Sequence, residues 1–285
     1  MTKSWLYPTS DSSRRLVIAT TAFQSDPEPA VNCEKIARTV DTIMQAHPNV
    51  ELILFGEVIL GWYSPSRMAE LAEPVPGPST DFLSQVARKH SIYLSFGIPE
   101  RNDGKLHNAQ VLLNPQGQVQ AIHRKWNLKN GEKKANFQPG ETNVTLTDIK
   151  GIRTGLIICA DARHPQTMRA LIKNRPALIL FSLADDQDES WFVAKANARL
   201  YDAGLVSANR YGHEKADYWN GHTVITDPLG NLCFTLLDQE GYLVHELQFS
   251  VGCAWYQTLA RNLWVKVSLV AHALKNWKIL RSYLS

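Results

Sequence analysis

Residues 152–161 read IRTGLIICAD. An apolar run of this kind shows no alternation between faces, so a strand built from it is buried on both sides, as strands are in parallel sheets covered by helices. It runs directly into two polar residues, Cys159 and Asp161. Residues 51–57, ELILFGE, repeat the arrangement, a continuous apolar strand that delivers the carboxylate of Glu57 at its carboxyl end. Open α/β sheets bind their ligands at that end of their strands.

Upstream, RLVIATTAF (15–23) is a β-branched strand, and after the breaker DPEPA a helix is predicted with Val31, Ile36, Val40, Ile43 and Met44 on one face. A Pro-rich loop from Glu73 to Pro78 leads into STDFLSQVARKH (79–90), which has a polar start and helical spacing. SIYLSFGIPE (91–100), LHNAQVLLN (106–114) and QVQAIHRK (118–125) read as successive strands, the last two joined by the turn Asn114-Pro115-Gln116-Gly117. Lys125 ends the third, and Glu132 lies in the long irregular loop from Trp126 to Glu141.

Downstream, a helix (HPQTMRALIKN), a strand (ALILFSLA), a helix (ESWFVAKANARLYDAG) and a strand (LVSANR) alternate, followed by the meandering strands NGHTVITDP, NLCFTLL and GYLVHELQF. With no low-complexity linker, residues 1–285 are expected to form a single domain. Residues 250–285 are read as a C-terminal extension, in which Leu263, Val267, Val270, Leu274, Trp277 and Leu284 place one apolar stripe on a helix. That stripe packs on its own domain or on a sister subunit, the alternative being a basic helix on a membrane surface.

Composition narrows the function classes. A chain of 285 residues, 44% hydrophobic and 20% charged, can bury a core without disulfide or metal staples. The formal charge of +3 comes from 30 basic and 27 acidic residues interspersed along the chain, a balance that implies no nucleic-acid partner. The segment from Met1 to Arg14 is polar and lacks the apolar stretch of a signal peptide, so none is expected, and no later run approaches the length of a membrane-spanning helix. Cys33, Cys159, Cys233 and Cys253 are widely separated and read as free thiols of a reducing compartment, so a cytoplasmic location is expected and the Asn143-Val144-Thr145 triplet carries no glycan. There is no phosphate-cradling glycine motif, no H-E-x-x-H zinc helix and no G-x-S-x-G elbow, and the nine histidines are scattered singly. No cofactor and no metal are expected. What remains is a set of polar residues at strand ends: Glu57, Lys125 with Glu132, and Cys159.

Those residues lie in three blocks, ILFGEVILGWY, AIHRKWNLKNGE and GLIICADARHP. In order and separation these resemble the glutamate, lysine and cysteine blocks of the nitrilase superfamily of carbon–nitrogen hydrolases. The likeness runs on through GPSTDFLSQVARKH, GIPERNDGKLHNAQVLLNPQG, FQPGE, ESWFVAKANARLYDAGLVSANRYG and GHTVITDPLGN, covering nearly everything from Arg15 to Phe249. The resemblance implies an α/β fold of the four-layer αββα sandwich type and a homodimer or larger homo-oligomer. It also implies that Cys159 is the nucleophile, Glu57 the general base and acid, Lys125 the cation that stabilises the oxyanion, and Glu132 a second carboxylate that positions substrate and steadies Lys125. Gly56 stands where the family usually has proline, Asn127 where histidine is common and Gln166 where glutamate is frequent, and the spacing from Glu57 to Gly61 is one residue short.

The chemistry asks for such a set. An ordinary thiol, with a pKa of about 8.5, is only a few per cent thiolate at neutral pH and needs a base beside it. One carboxylate can take the thiol proton, return it to the departing amine and then activate water against the thioester. Lys125 with the backbone N–H of Ala160 would meet the charge that develops on the former carbonyl oxygen.

In the family, the pattern Cys159-Ala160-Asp161-Ala162-Arg163-His164-Pro165 resembles amidase and carbamoyl-amide branches, which implies a small-molecule amide substrate, with a nitrile as the alternative. A non-catalytic binder of an amide-like ligand and a thioester-based acyltransferase are the readings of other classes. For substrate contacts, Tyr63, Trp126, Trp191, Tyr218 and Trp219 are expected to wall an apolar pocket beside Ala160 and Asp161. The run Asp185, Asp186, Asp188 and Glu189 is expected to meet a cationic tail.

Overall fold

The computed structural model describes residues 13–186, 190–236 and 238–250, so the C-terminal helix expected over 263–284 lies outside the described residues. From Arg14 to Phe249 the chain packs as one unit. Its first half runs β1 (Ser13–Phe23), α1 (Pro29–Ala46), β2 (Leu52–Leu54), α2 (Pro65–Leu71), α3 (Pro78–His90), β3 (Tyr93–Asn102), β4 (Lys105–Leu113), β5 (Val119–Arg124) and α4 (Asn130–Lys134). The second half runs β6 (Thr145–Ile149), β7 (Ile152–Ile158), a 3₁₀ turn (Cys159–Arg163), α5 (Pro165–Asn174), β8 (Leu178–Ser182) and α6 (Ser190–Tyr201). Then follow β9 (Gly204–Glu214), β10 (Asp217–Asn220), β11 (Thr223–Thr226), β12 (Leu232–Leu236) and β13 (Gly241–Ser250).

The strands are hydrogen-bonded in the order β5-β4-β3-β2-β1-β9-β8-β7-β6. Each half of that path has a parallel centre, β1 with β2 and β3 in one leaf and β7 with β8 and β9 in the other. Among the described residues, the strand pairing that joins the leaves is that of Ala22 and Phe23 with Asn209 and Arg210. Beyond that short join they face one another.

Alternate residues of the central strands show why the sequence reads as continuous apolar runs. Leu52 and Leu54 of β2, and Leu178 and Leu180 of β8, enter one shared core between the leaves with Leu16, Ile18 and Val206. Ile53 and Phe55 point the other way, onto Ile36, Ile43 and Leu83 of α1 and α3. Ile179 and Phe181 likewise point away, onto Leu171 of α5 and Ala194 and Ala198 of α6. The layers are therefore helix, sheet, sheet, helix. Among the described residues no helix is long and apolar enough to cross a membrane.

Local signals set the helix ends. Pro29 and Pro78 open α1 and α3, where a missing N–H is harmless. Asp81 in the first turn of α3 and Arg88, Lys89 and His90 in its last turn complement the helix dipole.

Candidate active site

Three strand exits bring the expected groups together. The loop after β2 carries Glu57, the residue after β5 is Lys125, and β7 ends at Cys159. Two of these exits turn through left-handed backbone, at Val58 (φ 49°) and at Cys159 itself (φ 42°). The glutamate exit is tight. A Cβ at Gly56 would lie 3.0 Å from the carbonyl oxygen of Leu183, and one at Gly97 would lie 2.3 Å from the nitrogen of Val58.

Glu57, Lys125 and Glu132 are all buried. Lys125 Nζ donates to Glu57 Oε1 at 2.6 Å and lies 3.2 and 3.1 Å from the two oxygens of Glu132. Asn108 Nδ2, on β4, donates to both carboxylates, at 2.7 Å to Glu57 Oε1 and 2.7 Å to Glu132 Oε1. Tyr63 Oη donates to Glu57 Oε1 at 3.2 Å and accepts from Lys125 Nζ at 3.3 Å. Glu57 Oε1 thus accepts three hydrogen bonds, whereas buried Oε2 has no partner among the described residues.

The electrostatics follow from burial. Burial pushes the Cys159 thiol up to about 12, the Glu57 carboxylate adds to the rise, and Lys125 and Lys129 oppose it. Burial alone would lower Lys125, but Glu57, Tyr63, Cys159 and Glu132 together hold it well above an ordinary lysine. Tyr63 is raised well above an ordinary phenol by burial and then by Glu57, so it remains a donor.

Two buried networks fix the exits. Asp161 accepts from the backbone N–H groups of Trp126 (3.0 Å), Asn127 (2.7 Å) and Ile158 (3.1 Å), and its Oδ2 lies 3.0 Å from His123 Nε2. Asn127 Nδ2 adds a bond to the carbonyl of Ala160 at 2.9 Å. The lysine strand and the cysteine turn are thereby tied directly to one another. Arg210 donates to the carbonyls of Glu57 (2.9 Å), Val58 (2.5 Å) and Gly61 (2.7 Å), and Glu214, paired with Arg210, accepts from the N–H of Tyr63 at 2.7 Å.

A cavity of about 120 Å³ opens onto Cys159, bordered by Ala160, Phe181 and Leu183 and by the charged residues Lys129, Arg163 and Asp185. Tyr63, Trp126, Tyr218 and Trp219 are not among its lining residues. Trp219 packs edge-on against Tyr63 with ring centroids 5.5 Å apart, and Tyr218 is 42% exposed on β10. Asp161 faces inward, with both oxygens engaged by the bonds above. The side chain of Trp191, together with Asp188 and Glu189, lies outside the described residues. Asn108, His123, Arg210 and Glu214 lie in no motif that marks them in the sequence. Their signal is a polar side chain inside an apolar strand, as in LHNAQVLLN and LVSANR, which does not by itself separate a site residue from a satisfied core one.

Compared with known proteins, residues 18–257 match the family described as carbon–nitrogen hydrolase. The chain belongs to that family. It is an enzyme of the carbon–nitrogen hydrolase class, which cleaves carbon–nitrogen bonds by hydrolysis. Among curated carbon–nitrogen hydrolase relatives, an (R)-stereoselective amidase from Pseudomonas sp. is 32% identical over 205 residues, covering 70% of this chain and 73% of its own. An omega-amidase from Xenopus tropicalis is 29% identical over 217 residues, covering 71% and 78%. Saccharomyces cerevisiae Nit3, a member of branch 10 of the nitrilase superfamily, superposes with a TM-score of 0.75 at 22% identity over 82% of this chain and 90% of its own. A glutamate-to-glutamine mutant of the amidase from Nesterenkonia sp. AN1, with the acetamide moiety of fluoroacetamide added covalently at its active-site cysteine, superposes with a TM-score of 0.74 at 24% identity over 84% and 92%. This carbon–nitrogen hydrolase shares with both structures the α/β fold of the nitrilase superfamily.

Proposed function

We propose that the chain hydrolyses a small-molecule amide through a thioester on Cys159. The observation that carries this reading is the asymmetry of Glu57, whose Oε1 is held by Lys125, Asn108 and Tyr63 while Oε2 is buried without a partner among the described residues. Oε2 is the oxygen left to take a proton. In the first half-reaction Glu57 accepts the thiol proton, sulfur bonds to the carbonyl carbon, and the oxyanion rests against Lys125 and the N–H of Ala160. Glu57 then returns the proton to nitrogen as the C–N bond breaks and ammonia or an amine leaves. In the second half-reaction Glu57 deprotonates water, which attacks the thioester and releases acid and thiol. Glu132 holds Lys125 in place from the far side.

The 32% identical amidase supports an amide over a nitrile, as does the sequence following Cys159. The covalent adduct described for the Nesterenkonia amidase supports a cysteine nucleophile. Ammonia release from primary amides, N-carbamoyl compounds and nitriles, followed with intact-protein mass spectrometry, tests the reading. Primary amides are expected to turn over with a transient acyl adduct, and both signals are expected to vanish in Cys159→Ala. Turnover of nitriles alone, or undiminished turnover by Cys159→Ala, would overturn it.

A further inference from the structure

Buried asparagines that brace this fold spend both ends of the amide, mostly on the backbone. Asn32 Oδ1 accepts from the N–H of Asp26, and its Nδ2 donates to the carbonyls of Asp26 and Glu28. Asn209 Oδ1 accepts from the N–H groups of Asp185 and Arg210, and its Nδ2 donates to the carbonyl of Asp185 and to Asn220 Oδ1. Asn108 is different. Buried on β4, it donates from Nδ2 to two carboxylates, Glu57 Oε1 and Glu132 Oε1, each at 2.7 Å, while its own Oδ1 has no partner among the described residues. Turned over, the amide would set Oδ1 against both carboxylate oxygens, so the carboxylates fix its orientation. Its main-chain carbonyl accepts the N–H of Lys125 at 2.8 Å.

Lys125 Nζ bonds to the same two oxygens, at 2.6 and 3.2 Å. The four groups form a closed ring in which two donors, one charged and one neutral, alternate with two acceptors. Two buried carboxylates set against one ammonium would otherwise gain by sharing a proton, and a base that already holds a shared proton cannot take one from a thiol. We infer that Asn108 is a positioning residue of this reaction, one that acts through Glu57. By giving each carboxylate a neutral donor it keeps both ionised, and it holds Glu57 by Oε1 so that Oε2 is the oxygen left for the proton. The inference rests on the amidase reading above and adds a residue to it. A donor bound to a carboxylate stabilises the charged form, so without Asn108 the pair takes up its proton at higher pH. The titratable groups around Glu57 are Lys125, Glu132, Tyr63 and Cys159, and none of them supplies a neutral N–H to both oxygens.

The test uses Asn108→Leu, which keeps the volume and removes both donors, and Asn108→Ser, which withdraws them without filling the space and serves if the first variant does not fold. Two rates are followed against pH in the full chain. One is alkylation of Cys159 by iodoacetamide, read on its own peptide by mass spectrometry, and the other is kcat/KM for ammonia release from butyramide. In both, the acid limb is expected to move up by about one pH unit, the scale of one hydrogen bond to a charged group, which lowers either rate about tenfold at a pH on that limb. The loss on butyramide is expected in kcat, with KM within about twofold of the wild type. A folded variant whose acid limb stays at the wild-type pH, its only loss being in the denaturation midpoint, overturns the inference and leaves the amidase reading intact. Failure of both variants to fold makes Asn108 a bracing residue and overturns it as well. A limb displaced in alkylation, with no ammonia released from any amide by the wild type, upholds the positioning of Glu57 and overturns the hydrolysis instead.

Discussion

A thiol that burial pushes up to about 12 is almost wholly protonated at neutral pH, so in the proposed mechanism Cys159 attacks as its proton leaves in the same step. The pH profile reports on that. The rate on a primary amide is expected to be flat between about pH 7 and 9, with no tenfold rise per unit toward an ordinary thiol pKa of about 8.5. A pH profile of kcat/KM with that rise would show a free thiolate doing the work and would remove Glu57 from its role. Lys125 is, among the described residues, the one cation paired with the two buried carboxylates. Lys125→Ala is expected to lower kcat about a thousandfold, the scale of a lost oxyanion donor, and to destabilise the fold by about 3–5 kcal/mol because Glu57 and Glu132 are left uncompensated. In Lys125→Ala/Glu132→Gln much of the stability should return and none of the activity. Denaturant midpoints and kcat for the two variants separate the roles, and recovery of activity with stability would mean that the lysine is purely structural. At this scale the grouping of Glu57, Lys125 and Cys159 was legible because each follows a strand inside a recognisable block. The sequence was silent about Asn108, since a lone asparagine in a strand acquires meaning only once the two carboxylates it bridges, distant in sequence, are seen together.

At the scale of elements, the site depends on how firmly one strand exit is fastened to the next. Asp161 is the main fastener between the β5 exit and the turn after β7, accepting three backbone N–H groups and contacting His123. Asp161→Ala leaves those donors buried and unanswered, and is expected to cost about 3 kcal/mol or more and to reduce kcat well beyond tenfold as the Cys159 turn loosens. Chemical denaturation together with steady-state kinetics would check this, and wild-type values for both would show that the fastening is elsewhere. The long helices and the central strands were readable from periodicity and from continuous apolar runs. The short elements were not. In α2 only Met68 is buried, α4 has 5 residues, and β6 is a mostly half-exposed edge strand, so none of them shows a hydrophobic period from which to be recognised. Glu132, expected in a loop, proves to sit within α4, where Oε2 caps the N–H of Lys129 at 2.8 Å while both oxygens lie near Lys125.

At the scale of the whole molecule, the layer order follows from the strands that are apolar on both faces. Strands buried on both sides need helices outside and something apolar inside, and here the inside is the other leaf. What the sequence could not supply is the closure, in which four residues at the join of β1 and β9 make a single hydrogen-bonded path of both leaves. Those pairings link residues nearly 190 positions apart, and no local pattern specifies them. The same join carries Arg210, so the seam between the leaves also holds the carbonyls around Glu57.

The left-handed backbone at Cys159 sets the stability of the turn against its chemistry. A side chain at positive φ costs about 1–2 kcal/mol that glycine would not incur, a sizeable share of the margin by which an ordinary domain stays folded. Cys159→Gly is therefore expected to relax the bend and raise the denaturation midpoint while ending turnover, so that at this one position stability and chemistry pull in opposite directions.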